Sequence, residues 1–312
     1  MAHHFAIFEP ERDLDDLVTL WQSTVGSQWP LNAERIQLVL NGPEAHHFAL
    51  REEGRLIAFA ATFQSPRGHD KVGHLAALLV APDKQRQGIG SELHDVAFNY
   101  LQQQPGLRAI QLGSIYPRFW CGVPTNLPVA PFFVRKGWQL DEIVYDMVRD
   151  LRDFSIPTRI VERMQREGIR FEVATPETID ALRAFEEREF YNWLRAVNYM
   201  ASVGDYQDLL IAFDGERVVG SLVTSCPQSN PERTDVIWQG LLGEDAGSLG
   251  SVGVAVSERG RGIGIALVAY ASEILKQRGV RNCYIDWLVL TDFYGKLGYE
   301  NWRTYQPSWR EL

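Results

Sequence analysis

Cysteine is scarce. There are three, Cys121, Cys226 and Cys283, in 312 residues. An odd count with no CxxC pair excludes a disulfide framework and a zinc ribbon, and leaves buried free thiols as the expectation. No run of roughly eighteen apolar residues occurs, and the opening MAHHFAIFEPERD lacks the apolar centre of a secretory leader. A membrane partner is therefore not expected, and a cytoplasmic location is. Positive charge is also in deficit, with 31 Lys and Arg against 40 Asp and Glu and a net charge of −9. Nucleic acid and anionic surfaces attract the opposite sign, so neither is an expected partner. Metal-ligand spacing is missing too: His3-His4 and His46-His47 are adjacent pairs, whose members point to opposite faces of an extended chain. No metal is expected.

The length and the ordinary composition, 45% apolar and 23% charged, suit two globular domains. Alternating apolar runs predict a hairpin over 46–64 and another over 207–225, the second around Asp214-Gly215-Glu216. Each hairpin is followed by a nearly unbroken apolar strand, 75–81 and 251–256, of the kind buried on both faces. A helix follows each strand, over 91–103 and 263–278, and then a further strand and a short helix stopped by Gly137 or Gly298. Helices over 14–24, with Asp13 as its cap, and over 32–40 precede the first hairpin. The element order of one half thus repeats in the other. We place one domain at 1–150, a linker at 151–168 and a second domain at 169–312. The irregular, aromatic and proline-rich stretch 114–128 is a candidate pocket wall.

Between each buried strand and its helix lies a basic, glycine-containing turn: Gln85-Arg86-Gln87-Gly88-Ile89-Gly90 and Arg259-Gly260-Arg261-Gly262-Ile263-Gly264, with Gly88 and Gly262 174 residues apart. A helix N-terminus carries unpaired N–H groups and about half a positive charge. Bare glycines let a pyrophosphate approach that backbone, and the arginines add donors at its rim. Neither turn contains the GK[ST] of a Walker loop. Leu93 and Leu267 stand where a dinucleotide fingerprint needs a third small residue. A GxG of this kind also serves as a plain strand-to-helix turn.

The string from Val80 to Gly90, V-x-P-x-x-Q-R-Q-G-I-G, resembles the acyl-CoA loop of the GNAT acetyltransferase superfamily, [QR]-x-x-G-x-[GA]. The second turn resembles it as well, with Val256 in place of the usual proline. FYGKLGYE at 293–300 is similar to the superfamily's short tyrosine-bearing helix. The resemblance covers both halves. It implies an α/β fold of two tandem GNAT domains, each a mixed sheet splayed open between its fourth and fifth strands and flanked by helices. It implies acetyl-CoA, or another acyl-CoA, as co-substrate in the splay. Carried over by position, Val252 and Val254 would meet the pantetheine arm, and Arg259 through Gly264 the pyrophosphate. In the first half these positions are Leu78, Val80 and Gln85 through Gly90.

Acyl transfer to an amine needs a neutral nucleophile and a protonated leaving thiolate. An alkyl amine has a pKa of about 10.4, so a base helps. A thiol leaves near pKa 8.5, and a tyrosine near 10 can protonate it. Tyr294 occupies the superfamily's tyrosine position, while Phe133, 161 residues earlier, lacks the hydroxyl. Catalysis is therefore expected in the second half, on a primary amine of a small molecule. Glu189, Asp235, Glu244 and Asp286 are the candidate bases. Asp286 is singled out because it interrupts an apolar strand. A non-catalytic acyl-CoA sensor and a protein or peptide acetyltransferase are the alternatives, and the protein is expected as a monomer or homodimer.

Overall fold

The computed structural model describes residues 3–42, 44–67, 70–114, 118–233 and 239–312. The chain forms two compact units, Met1–Val144 with Thr234–Leu241 and Thr304–Leu312, and Tyr145–Arg233 with Leu242–Arg303.

The first unit runs β1 (Ala6–Ile7), α1 (Pro10–Trp21), α2 (Ala33–Leu40), β2 (Phe48–Glu52), β3 (Arg55–Arg67), β4 (Asp70–Val80), α3 (Ile89–Gln102), β5 (Leu107–Leu112), β6 (Val123–Pro124) and α4 (Ala130–Arg135). Pro10 suits the first turn of α1, where no N–H partner is needed. The cap expected at Asp13 falls at Glu9 instead, and Asp13 works from inside the first turn. Its carboxylate is wholly buried, accepts the Glu9 N–H at 2.8 Å, and pairs with Arg12 and Arg51 at 2.7 Å each.

The second unit continues with β7 (Val144–Asp150), α5 (Thr158–Glu167), β8 (Ile169–Val173), α6 (Ile179–Glu189), α7 (Tyr191–Ser202), β9 (Leu209–Asp214) and β10 (Arg217–Ser225), and, after α8 (Gln239–Leu242), of which 239–241 belong to the first unit, with β11 (Ala246–Val254), α9 (Ile263–Gln277), β12 (Asn282–Leu288), α10 (Thr291–Gly295) and β13 (Glu300–Gln306). The last strand, β14 (Ser308–Glu311), belongs to the first unit. Within the stretch read as a linker, α5 is an amphipathic helix that buries Ile160 and Met164 in the second unit's core.

The sheet of the first unit has the order β1-β2-β3-β4-β5-β14, and that of the second contains β13-β7-β12-β11-β10-β9-β8. Against a partition at 150 and 169 the two halves therefore trade closing strands. β7 pairs antiparallel with β12, and β14 pairs antiparallel with β5. The pairs β4–β5 and β11–β12 are parallel.

Those two parallel pairs come apart. β11 and β12 are in register only from Ala246↔Asn282 to Ser248↔Tyr284, yet β11 goes on to Val254 and β12 to Leu288. β4 and β5 part after Leu75↔Leu112, with β4 going on to Val80. At the fork both central strands carry a bulge. One extra residue enters β11 between the pairs Ser221↔Gly253 and Val223↔Gly250, with Ser251 at φ 49. One extra enters β4 between Ala61↔Ala77 and Thr62↔Leu75. A bulge twists a strand away from its neighbour, and the backbone groups it frees seek another partner. Each unit is thus a mixed sheet splayed at one strand pair and flanked by helices.

Candidate functional site

The glycine turns sit at the open ends of the two splays. Gly88 (φ 89) caps α3 and Gly262 (φ 88) caps α9, both in the left-handed region where a side chain costs about 1–2 kcal/mol. Ile89 and Ile263 anchor their helices in the core, at 2% and 1% exposure. Gly90 and Gly264 stand behind the turn, where a Cβ would lie 3.5 Å from Val80 and from Val254 and Phe293 respectively. Leu78 and Val80 in β4, and Val252 and Val254 in β11, are half-buried along the parted strands.

The side chains of the turns brace them. Gln85 donates to the Val80 carbonyl at 3.0 Å and Gln87 to the Asp83 carbonyl at 3.1 Å. Arg86 takes a positive φ of 62, and Arg259 reaches the Val254 carbonyl at 3.4 Å. Arg261 turns back into the protein, 2.9 Å from Glu167, 2.8 Å from Asp214 and 2.6 Å from Glu258, and these bonds raise its pKa further. What the turns offer a phosphate is mainly backbone N–H, from Gly88 or Gly260 and Gly262 onward.

Tyr294 lies on α10 at 9% exposure, edge-on to Phe293 and Tyr299 at centroid distances of 4.9 and 6.5 Å. Burial, with the Asp286 charge nearby, pushes its phenol up to about 12. It therefore keeps its proton at neutral pH. Asp286 is half-buried on β12, two residues past the last β11 pairing. Next to it, Trp287 takes a φ of 47 and its N–H is accepted by the buried Asp146 at 3.1 Å. In the first unit Phe133 packs edge-on against Phe132 at 5.1 Å, with no hydroxyl to give.

Glu189 reaches the start of the second turn, 3.4 Å from the Val256 N–H, and is held by Arg188 at 3.0 Å. Glu244 is exposed in a turn, and Asp235 lies outside the described residues, as does 115–117 of the aromatic stretch. A carboxylate that sequence reading missed is Glu186 of α6. It is 2% exposed, accepts a hydrogen bond from Ser221, and its Oε2 has no partner among the described residues. Burial raises its pKa to about 7, and the Ser221 bond only partly offsets this. Ser221 pairs with Gly253 of the parted strand, over which Phe190 and Trp193 are stacked 4.6 Å apart. Their ring carbons lie 2.6 and 2.9 Å from where a Gly253 Cβ would sit. The sequence signal was a lone Glu on the inward face of a helix, and such a residue also reads as solvated.

No group of three or more His, Cys, Asp or Glu is placed to hold a metal, and no helix is long and apolar enough to cross a membrane, among the described residues. Cys226 and Cys283 are buried thiols and Cys121 is half-buried.

Two splayed mixed sheets, each ending in a left-handed glycine that opens a helix, define a tandem α/β protein built around two strand-to-helix glycine turns. The Acetyltransferase (GNAT) family profile matches residues 14–138 and 166–299, and the chain belongs to that family. The chain is similar in fold to the GCN5-related glucosamine N-acetyltransferase region of a fungal multi-domain GH3 β-N-acetylglucosaminidase, at 38% identity and TM-score 0.95 over 99% of this chain. This chain spans 38% of that one's length. A GCN5-related N-acetyltransferase from Sphaerobacter thermophilus aligns over 99% of this chain and 96% of its own, at 18% identity and TM-score 0.73. A tandem GNAT protein from the clavulanic acid biosynthesis pathway aligns over 99% and 98%, at 14% identity and TM-score 0.66. No curated protein matched the chain.

Proposed function

We propose that this protein transfers an acetyl group from acetyl-CoA to the primary amine of a small molecule, with the chemistry in the second unit. The observation that carries the assignment is the buried, protonated Tyr294 beside the β11–β12 splay, against Phe133 in the first unit. An amino sugar is the proposed acceptor, because the 38% identical fold belongs to a glucosamine N-acetyltransferase region.

The glycine turn of Arg259 through Gly264 would hold the pyrophosphate by backbone N–H groups, and the freed edge of β11 around Val252 and Val254 would hold the pantetheine arm. Bound there, acetyl-CoA supplies an activated thioester. The amine nitrogen attacks its carbonyl carbon, the C–S bond breaks, and the products are an amide and the free thiol. Tyr294 donates the proton to the departing sulfur. Glu186, with a pKa of about 7, takes up the amine proton, either directly or through the Ser221 hydroxyl. A pKa near neutral pH suits it to this role.

The test is acetyl-CoA-dependent thiol release with glucosamine and a panel of amines. Turnover that falls about 100-fold or more in Tyr294→Phe, and an acidic limb near pH 7 that disappears in Glu186→Gln, are the expected results. Binding of acetyl-CoA without turnover on any amine would instead favour a sensor.

A further inference from the structure

Beside the second glycine turn, and wholly within the second unit, lies a cavity of about 530 Å³. Arg159, Arg163 and Arg166 line it from α5 and Lys296 from the end of α10, together with Gly262 and apolar side chains such as Ile265 and Leu297. The spacing i, i+4, i+7 puts the three arginines on one helix face. Like charges so placed repel one another. The chain has 40 carboxylates to offer, yet none of these four cations has an ion-pair partner among the described residues. Arg261, one turn away, has three.

Arg163 is also fixed in place. It donates to the Gly260 carbonyl at 2.7 Å, and its guanidinium carbon rests 2.9 Å from where a Gly262 Cβ would sit. Gly262 thus leaves room for an arginine from outside the motif as well as for its own φ. That arginine stands over the turn where the motif's Arg261 does not. In the first unit, among the described residues, nothing lies within 4 Å of a Cβ on Gly88, so none of them sets such a cation against that glycine.

Four unneutralised cations around a nucleotide-sized cavity call for a ligand with several phosphates close together. We infer that Arg159, Arg163, Arg166 and Lys296 receive the phosphorylated nucleotide end of acyl-CoA, and that α5 makes the second unit selective for its terminal 3′-phosphate. The pyrophosphate and the 3′-phosphomonoester together carry about four negative charges, matching the four cations. This inference rests on the acyl-CoA reading above.

The test is calorimetric titration of the full chain with coenzyme A and with 3′-dephospho-coenzyme A. Wild type should prefer coenzyme A by about tenfold or more, the worth of one or two charge-assisted contacts. Arg159→Gln/Arg166→Gln, at two exposed positions, should weaken coenzyme A and leave the dephospho compound nearly unchanged, collapsing the preference to within about twofold. With turnover, KM should rise and kcat stay level. Equal affinity of wild type for the two compounds, or a preference unchanged in the double variant, would overturn the inference while leaving the acyl-CoA reading intact. No binding of either compound would overturn that reading as well.

Discussion

Replacing Glu186 with glutamine should make the second unit more stable at neutral and alkaline pH and alter it little in acid. The folded-state pKa is about 7, against an ordinary 4.5. A carboxyl whose pKa is raised on folding favours the folded state fully below pH 4.5, and loses that contribution as pH rises through 7. At about 1.36 kcal/mol per pH unit, the rise from 4.5 to about 7 makes the ionised form cost on the order of 3 kcal/mol at pH 8. Burial at 2% exposure means that water does little to screen this. Glutamine keeps a hydrogen-bonding group beside Ser221 and removes the ionisation. Urea unfolding of wild type and Glu186→Gln, at half-unit steps from pH 4 to 8.5, should give curves that agree near pH 4 and diverge by about 1.4 kcal/mol per unit between 4.5 and 7. Above pH 7.5 they should run parallel, with the variant ahead. Parallel curves across the whole range would mean that Glu186 titrates as an ordinary surface carboxylate, and its assignment as the base would fall with it.

Other outcomes follow from the same geometry. Tyr294→Phe should lower kcat by about 100-fold or more while leaving acetyl-CoA affinity within about twofold, measured by stopped-assay kinetics alongside calorimetry. With the phenol raised to about 12, wild-type kcat should show no basic limb assignable to its deprotonation below about pH 10. Gly88→Ala should cost about 1–2 kcal/mol of strain alone, whereas Gly262→Ala must also displace Arg163. Coenzyme A affinity in the second unit should fall in Gly262→Ala and not in Gly88→Ala. Asp13→Ala should destabilise the first unit by about 1.5–3 kcal/mol in thermal unfolding, because the Glu9 N–H, Arg12 and Arg51 lose the buried carboxylate they share.

Much of the site was legible because its local rules are strict. A left-handed φ at a helix N-terminus demands glycine, so Gly88 and Gly262 announced both turns without any tertiary knowledge. The hairpins and the central strands were legible for a similar reason, since alternation and unbroken apolar runs are short-range signals. Side-chain direction was less so. Arg261 sits in the motif and points into Glu167, Asp214 and Glu258, of which Glu167 and Asp214 are distant in sequence and close only in the fold. Arg163 sits outside the motif and lies on top of it. The trade of closing strands was hidden because β7 and β14 are ordinary strands whose apolar faces fit either sheet, and pairing partners are a property of the whole chain.

The two units also set the same turn in different surroundings. Their glycines match in conformation, at φ 89 and 88, so the turns alone do not explain why only one unit would act. The differences stand around them. At the second turn α5 brings in arginines that neither motif encodes, and Tyr294 supplies a hydroxyl where the first unit has Phe133. A single substitution, Phe133→Tyr, isolates one of these differences. The new hydroxyl would have a donor's chemistry at the first turn while the α5 arginines and Glu186 remain at the second. If base and phosphate contacts matter as argued, Phe133→Tyr/Tyr294→Phe should fail to recover thiol release above the Tyr294→Phe level. Recovery would place the acyl group at the first turn and move the assignment of the active unit with it.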